Sequence, residues 1–132
     1  MRVQPRVLII DDEQDVREVV GAVFEAHAWE TMTAENGELG LILAAREHPD
    51  LIVLDLRLPD KDGFAVFKEL RGDARTRDIA VIILSAVNTY ELGVRHDELS
   101  VSHTLGVRPP EAFLNKPVDC EQLISLAGKI LG

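Results

Sequence analysis

Residues 49–63 read Pro-Asp-Leu-Ile-Val-Leu-Asp-Leu-Arg-Leu-Pro-Asp-Lys-Asp-Gly. The run Leu51–Leu54 is apolar without alternation, the pattern of a strand covered on both faces, as in a parallel sheet. It stops at Asp55, a charge that no structural rule requires there. Pro59 and Gly63 interrupt the chain, and Phe64, Phe67 and Leu70 then recur at helical spacing. Gly63 provides the turn before that helix. One strand, one loop and one helix are therefore legible around a single acid.

The same unit recurs on both sides. Val7–Ile10 is a second unbroken apolar run and ends in Asp11, Asp12 and Glu13, an acidic cluster suited to a helix start. Val16, Val19, Val20, Val23 and Phe24 follow at helical spacing. Trp29–Ala34 reads as a strand and Asn36-Gly37 as a turn. Glu38–Glu47 reads as a helix turning Leu39, Ile42 and Leu43 inward. Ala80–Leu84 is a further strand ending in Ser85, and a short one at Ala112–Leu114 runs into Asn115-Lys116-Pro117. Asp119 is placed to cap a last helix that buries Leu123, Ile124, Leu126 and Ile130. Strands alternating with helices predict an α/β fold with a doubly wound, five-stranded, mostly parallel sheet. Right-handed crossovers favour the flavodoxin-like order 2-1-3-4-5.

With 132 residues, the chain is expected to form a single domain over 1–132. Its formal charge of -9 argues against direct contact with nucleic-acid phosphates. The lone Cys120 excludes an internal disulfide and suggests a reducing compartment. Its place at the start of the last helix can favour a thiolate, with a structural or incidental thiol as the alternative. No apolar stretch approaches the ~20 residues that cross a bilayer. The Val7–Ile10 run meets acids too soon for a signal peptide. A cytoplasmic location without membrane contact is expected.

In doubly wound sheets ligands bind beyond the carboxyl ends of the strands. Asp11, Asp12, Asp55, Ser85 and Lys116 all terminate strands and are expected to meet at one rim. Three crowded carboxylates repel, so one holds a proton unless a cation intervenes. Oxygen-only ligands point to a hard ion, best Mg²⁺, which shares its shell readily with phosphoryl oxygens. Asp55 is then placed as a nucleophile that accepts a phosphoryl group, with Mg²⁺, Lys116 and the Ser85 hydroxyl dividing the neutralisation of its oxygens.

Taken together, Asp11-Asp12-Glu13, Leu54-Asp55-Leu56-Arg57-Leu58-Pro59, Asp62-Gly63, Leu84-Ser85-Ala86 and Lys116-Pro117 resemble the receiver domain of response regulators, the CheY-like switches of two-component phosphorelay systems. The five motifs occur in order over almost the whole chain. The resemblance implies that Asp55 is the phosphoacceptor, charged by a sensor histidine kinase or a histidine phosphotransfer protein. It implies a Mg²⁺ site, with Mn²⁺ as a substitute, made by Asp12, Asp55 and the backbone carbonyl of Arg57, with Asp11 more peripheral or acting through water. It further implies that Ser85 and Lys116 bind the phosphoryl group, and that Ser85 and Phe113 form the switch. Pro117 would follow a cis peptide bond. Phe113 equally suits an ordinary core position. The protein is then a phosphorylated signalling switch rather than an enzyme with a separate substrate, and its output protein or domain lies outside these residues.

Two further side chains flank the acceptor and the hydroxyl. Arg57 and Val87, each two residues beyond, are candidates for tuning the lifetime of phospho-Asp55, with a solvated cation as the alternative for Arg57. From Ser85 to Lys116 the chain is longer than the usual receiver spacing. An atypical insertion at about 87–111 replaces or remodels the family's fourth helix and is expected to make a partner surface. A short helix near Thr89–Arg95 is expected there, followed by an extended stretch through Leu99, Val101, Leu105 and Val107. His96, Asp97, Glu98 and His103 match no zinc spacing and read as solvated loop residues. A receiver fold that works without phosphorylation is disfavoured because every acid and the lysine are present. A dehalogenase-type phosphatase would want an acid where Arg57 stands, and a flavin binder would want a Gly/Ser/Thr-rich loop after the first strand.

Overall fold

The apolar runs become the five strands of one sheet: β1 (Arg6–Ile10), β2 (Glu30–Ala34), β3 (Leu51–Asp55), β4 (Ala80–Ser85) and β5 (Ala112–Asn115). The computed structural model describes residues 3–85 and 106–132. All pairings are parallel, in the order β2-β1-β3-β4-β5. Four helices lie among the described residues: α1 (Gln14–Ala26), α2 (Gly37–Glu47), α3 (Gly63–Gly72) and α4 (Cys120–Leu131). The expected flavodoxin-like topology is the observed one.

Why β1 and β3 lack alternation is visible in the core. Val7, Ile9, Leu51 and Val53 face one layer with Val20, Phe24, Leu123 and Ala127 from α1 and α4. Leu8, Ile10, Ile52 and Leu54 face the other with Ala44, Val66, Phe67 and Leu70 from α2 and α3. Strands buried on both faces have no polar side to show. Trp29 sits just before β2 instead of opening it, and packs edge-on against Phe24 with ring centroids 5.0 Å apart.

Helix α2 departs from expectation in the face it buries. Leu39 and Ile42 are 37% and 48% exposed, while Gly37, Gly40 and Ala44 are buried. Leu43 is half-buried against the core, beside Leu41. A Cβ on Gly40 would stand 2.5 Å from Ile10 Cδ1, so small residues let the helix lie close to β1 and displace the larger ones outward. Asn36, Asp62 and Asp119 cap α2, α3 and α4 through Leu39, Phe64 and Gln122 N–H groups, satisfying amides with no partner inside the helix. In α4, Leu123 and Ala127 are buried, and Ile124, Leu126 and Ile130 pack on the core from its edge.

At the amino ends of β4 and β5 the chain is held by Arg71, whose side chain is 1% exposed. Its guanidinium donates to the carbonyls of Arg77, Ile79, Arg108 and Pro109, pairs with Glu111 at 2.8 Å and lies over the Phe67 ring. Glu111 also accepts from the Val81 N–H. A buried guanidinium needs such saturation, and removing it leaves its partners unpaired. The anchor ties residues 108–111 to the entry of β4. Val107 packs on the core beside it. The expected helix near Thr89–Arg95, the extended stretch from Leu99, the residues His96, Asp97, Glu98 and His103, and most of the insertion lie outside the described residues.

Arg71→Ala is expected to cost about 3–5 kcal/mol in urea unfolding. Arg75→Ala, which removes an exposed partner of Asp73, should leave the unfolding midpoint in place.

Candidate functional site

Parallel strands in register bring their last residues to one rim. Ile10 pairs with Leu54, Asp55 with Leu84, and Ser85 with Asn115, so the residues at and just after these positions face a common edge. Asp11 is fully buried and Asp55 is 3% exposed, whereas Asp12 is exposed. Of the two neighbouring acids after β1, Asp11 is the deeper. Asp11 Oδ1 accepts from the Glu13 N–H at 2.9 Å, and Arg17 donates to the Asp11 carbonyl at 2.8 Å. Both contacts turn the start of α1 across the end of β1.

Lys116 reaches in from the end of β5. Its Nζ lies 3.1 Å from Asp11 Oδ2, 3.4 Å from Asp55 Oδ1 and 3.9 Å from Glu13 Oε1. Its backbone N–H donates to the Ser85 carbonyl at 2.8 Å, which fastens the lysine to the end of β4. Ser85 is buried beside it. Glu13 enters this group through folding of the loop after β1. Its place in the acidic run was its only sequence signal.

The electrostatics follow from burial and like charge. Burial first, and the Asp11 charge second, push the Asp55 pKa from 3.8 to about 6, against the opposing pull of Lys116 and of the Arg57 N–H. Burial acts to lower the Lys116 pKa and is outweighed by contact with Asp11 and the charges of Asp55, Asp11 and Glu13, which hold it above the ordinary lysine value. One lysine does not satisfy three acids. Asp11 Oδ2 is buried and has the Lys116 ion pair but no well-directed hydrogen bond, and carboxylate oxygens of Asp11, Asp12 and Asp55 all lie within 4.8 Å of one another. An all-oxygen donor set with an unsatisfied buried lone pair fits a hard divalent cation.

The loop after β3 is folded back on itself. Arg57 and Asp62 form an isolated antiparallel bridge, and the Gly63 N–H donates to the Leu56 carbonyl at 3.0 Å. A Cβ on Gly63 would meet Leu56 Cα at 2.4 Å, so the close return of the chain requires glycine. Arg57 is exposed, and its N–H points to the Asp55 carboxylate. Phe113 is half-buried on β5 against the α2–α3 layer. Lys116-Pro117 is a cis peptide. Val87 lies outside the described residues.

A family model described as the response regulator receiver domain matches residues 7–127. The chain belongs to this family. Protein PilH of Pseudomonas aeruginosa is 32% identical over 126 residues, covering 96% of this chain and 97% of that protein. The DNA-binding dual master transcriptional regulator RpaA of Synechocystis sp. is 36% identical over 127 residues, 96% of this chain. The chain spans 49% of the length of RpaA and 23% of that of the response regulator PleD of Caulobacter vibrioides. Among solved structures, the receiver domain of the Francisella response regulator 1452 is 28% identical with a TM-score of 0.77, covering 96% of each chain. The chemotaxis response regulator CheY4 of Vibrio cholerae shares the fold at 22% identity, with a TM-score of 0.80 over 97% of this chain and 99% of its own. Receiver domains are signalling switches of two-component systems rather than enzymes in the ordinary sense. Among the described residues no helix is long and apolar enough to cross a membrane.

Because its folded pKa is raised, Asp55 costs stability as pH climbs from about 4 through 6, where the native carboxyl ionises. Below 3.8 both states are protonated and the cost is absent. In chelator, Asp55→Asn should therefore be more stable than wild type at pH 7.5, by up to roughly 3 kcal/mol. The difference should vanish near pH 3.5 in thermal unfolding followed by circular dichroism.

Proposed function

We propose that the chain is one receiver domain, 1–132, that accepts a phosphoryl group on Asp55 from a sensor histidine kinase or a histidine phosphotransfer protein. The observation that carries the reading is the buried Asp55 carboxylate, set beside Asp11 and within 3.4 Å of Lys116 at the rim of a parallel sheet. An Asp55 oxygen attacks phosphorus as the phosphorus–nitrogen bond of the donor phosphohistidine breaks. The imidazole leaves and takes up a proton. Asp11, Asp12, Asp55 and the Arg57 carbonyl would hold Mg²⁺, with Mn²⁺ as a substitute. When bound, the metal offsets the carboxylate repulsion and the charge on the phosphoryl oxygens.

The remaining work falls to this chain's own groups. Lys116 is charged and already reaches Asp55, so it can pair with phosphoryl oxygens without a large movement. The Ser85 hydroxyl supplies a donor from the next strand. Phosphorylation adds negative charge beside Lys116 and draws on both residues. Because the Lys116 N–H is bonded to the Ser85 carbonyl, one movement carries both strand ends. Phe113, three residues before Lys116 on the same strand, is the side chain that repacks with them. Pro117 shapes the turn into α4. Arg57 and Val87, two residues beyond the acceptor and the hydroxyl in sequence, tune the lifetime of phospho-Asp55. The reading places the chain in the cytoplasm, signalling to an output protein or domain through a changed face, with the insertion at about 87–111 part of that surface and no nucleic acid held by this chain.

Incubation with a small-molecule phosphodonor and Mg²⁺, read by intact mass, should add one phosphoryl group to wild type and none to Asp55→Asn. Absence of an adduct in both overturns the assignment. Arg57→Ala and Val87→Ala should each change the rate of phosphoryl loss several-fold, and unchanged rates remove these two from the reading.

A further inference from the structure

The loop that carries the Arg57 carbonyl is held from outside by one acid. Asp60, at the loop's apex, accepts from the Gly37 N–H at 2.8 Å and the Glu38 N–H at 3.0 Å, the first two amides of α2. These amides have no partner within their own helix, and the helix dipole favours a carboxylate there. The two N–H groups hold the Asp60 pKa below the ordinary carboxylate value. Next to it, Lys61 Nζ lies 3.4 Å from Glu38 of α2 and 3.5 Å from Glu69 of α3. On the helix side, a Cβ on Gly37 would stand 2.8 Å from Val66 Cγ2, 3.2 Å from Lys61 Cβ and 3.4 Å from Asp60 Oδ1. Only a glycine at that position lets the helix start reach the loop so closely.

The geometry connects this contact to the site. The Arg57↔Asp62 bridge closes residues 57–62 into one unit, with Asp60 at one end and the Arg57 backbone at the other. Asp62 is itself fixed as the cap of α3. Holding the apex against α2 therefore restrains the strand of loop that bears the Arg57 carbonyl. Asp60 touches neither Asp55 nor any other acid of the rim among the contacts described above, so its effect on the site runs through the loop.

We propose that Asp60 is a positioning residue for the metal site: by docking on the amino end of α2 it holds the Arg57 carbonyl where a divalent cation needs it. The inference rests on the metal site of the proposed function. Partners that orient a ligand without touching the metal typically contribute 10–100-fold in affinity. Because coupling is reciprocal, bound metal must also tighten the Asp60 contact.

Calorimetric titration of the metal-free chain with Mg²⁺ alone tests this. Asp60→Ala is expected to weaken binding about 10-fold. Asp60→Asn, which keeps one acceptor oxygen, should fall between Asp60→Ala and wild type. A purely structural role would lower the unfolding midpoint in chelator and leave the affinity of the folded protein alone. If wild type binds and Asp60→Ala binds equally well, the positioning role is overturned while the metal site stands. If wild type itself binds no Mg²⁺, the metal site fails and the inference with it. Should Asp60→Ala not fold, amide exchange in wild type decides. Saturating Mg²⁺ must slow exchange at Gly37 and Glu38, and unchanged exchange at both overturns the proposal.

Discussion

Asp11 and Asp55 end adjacent strands, are both shut away from water, and repel one another across the rim of the sheet. What makes that placement tolerable is a single ammonium group, Lys116 Nζ, 3.1 Å from the one and 3.4 Å from the other. The compensation is incomplete. Asp55 remains shifted towards its protonated form, and Asp11 Oδ2 has its ion pair with the ammonium without a well-directed hydrogen bond. A buried pair of acids with too little positive charge has a standing demand for a further cation. The rest of the architecture can be understood as keeping that demand in place rather than letting it relax.

Relaxation is prevented because each charge is mounted on a different strand, and the strands are locked by two apolar layers. β1 and β3 are buried on both faces, so neither can tilt to carry its terminal acid outward without opening a core. Lys116 sits after the edge strand β5, and β5 is secured at both ends. The Lys116 N–H bonds to the Ser85 carbonyl at the rim, and the Arg71–Glu111 anchor holds the opposite end. Arg71 thus serves the site from the far edge of the sheet. It keeps the stretch from Arg108 onward in register whatever path the chain takes between Ser85 and that anchor.

Legibility in the sequence followed physical range. Unbroken apolar runs closed by acids or a hydroxyl are local signals of a parallel strand and its end, and they yielded the sheet, its order and the residues of the rim. Helix α2 buries a face that periodicity does not predict, because periodicity weighs large aliphatic residues, whereas close approach to Ile10 requires a residue as small as Gly40. Arg71 gave no hint of burial, since the five groups it satisfies come from residues 77–111. Asp60 was equally silent: its partners lie more than 20 positions earlier, and a Pro-Asp pair in a loop reads simply as a turn. Which of the two neighbouring aspartates turns inward is likewise not a local signal, because the fold of the loop after β1 decides it.

These features bear on how a site so short of positive charge could work as a switch. Lys116 is shared among Asp11, Asp55 and Glu13, so no partner holds it outright. On the proposed function, a phosphoryl group on Asp55 brings new oxygens to one side of that shared lysine and alters the division. The two states then differ chiefly in which acid the ammonium serves. Such a difference needs little displacement at the site and still reaches the surface, because the lysine backbone is fastened to β4 and continues into β5 and the start of α4. A lysine fully committed to one carboxylate would have to be pulled from a satisfied pair, at a cost opposing the switch. On the proposed function, incomplete compensation in the unmodified protein is therefore what leaves the lysine available to the modified one.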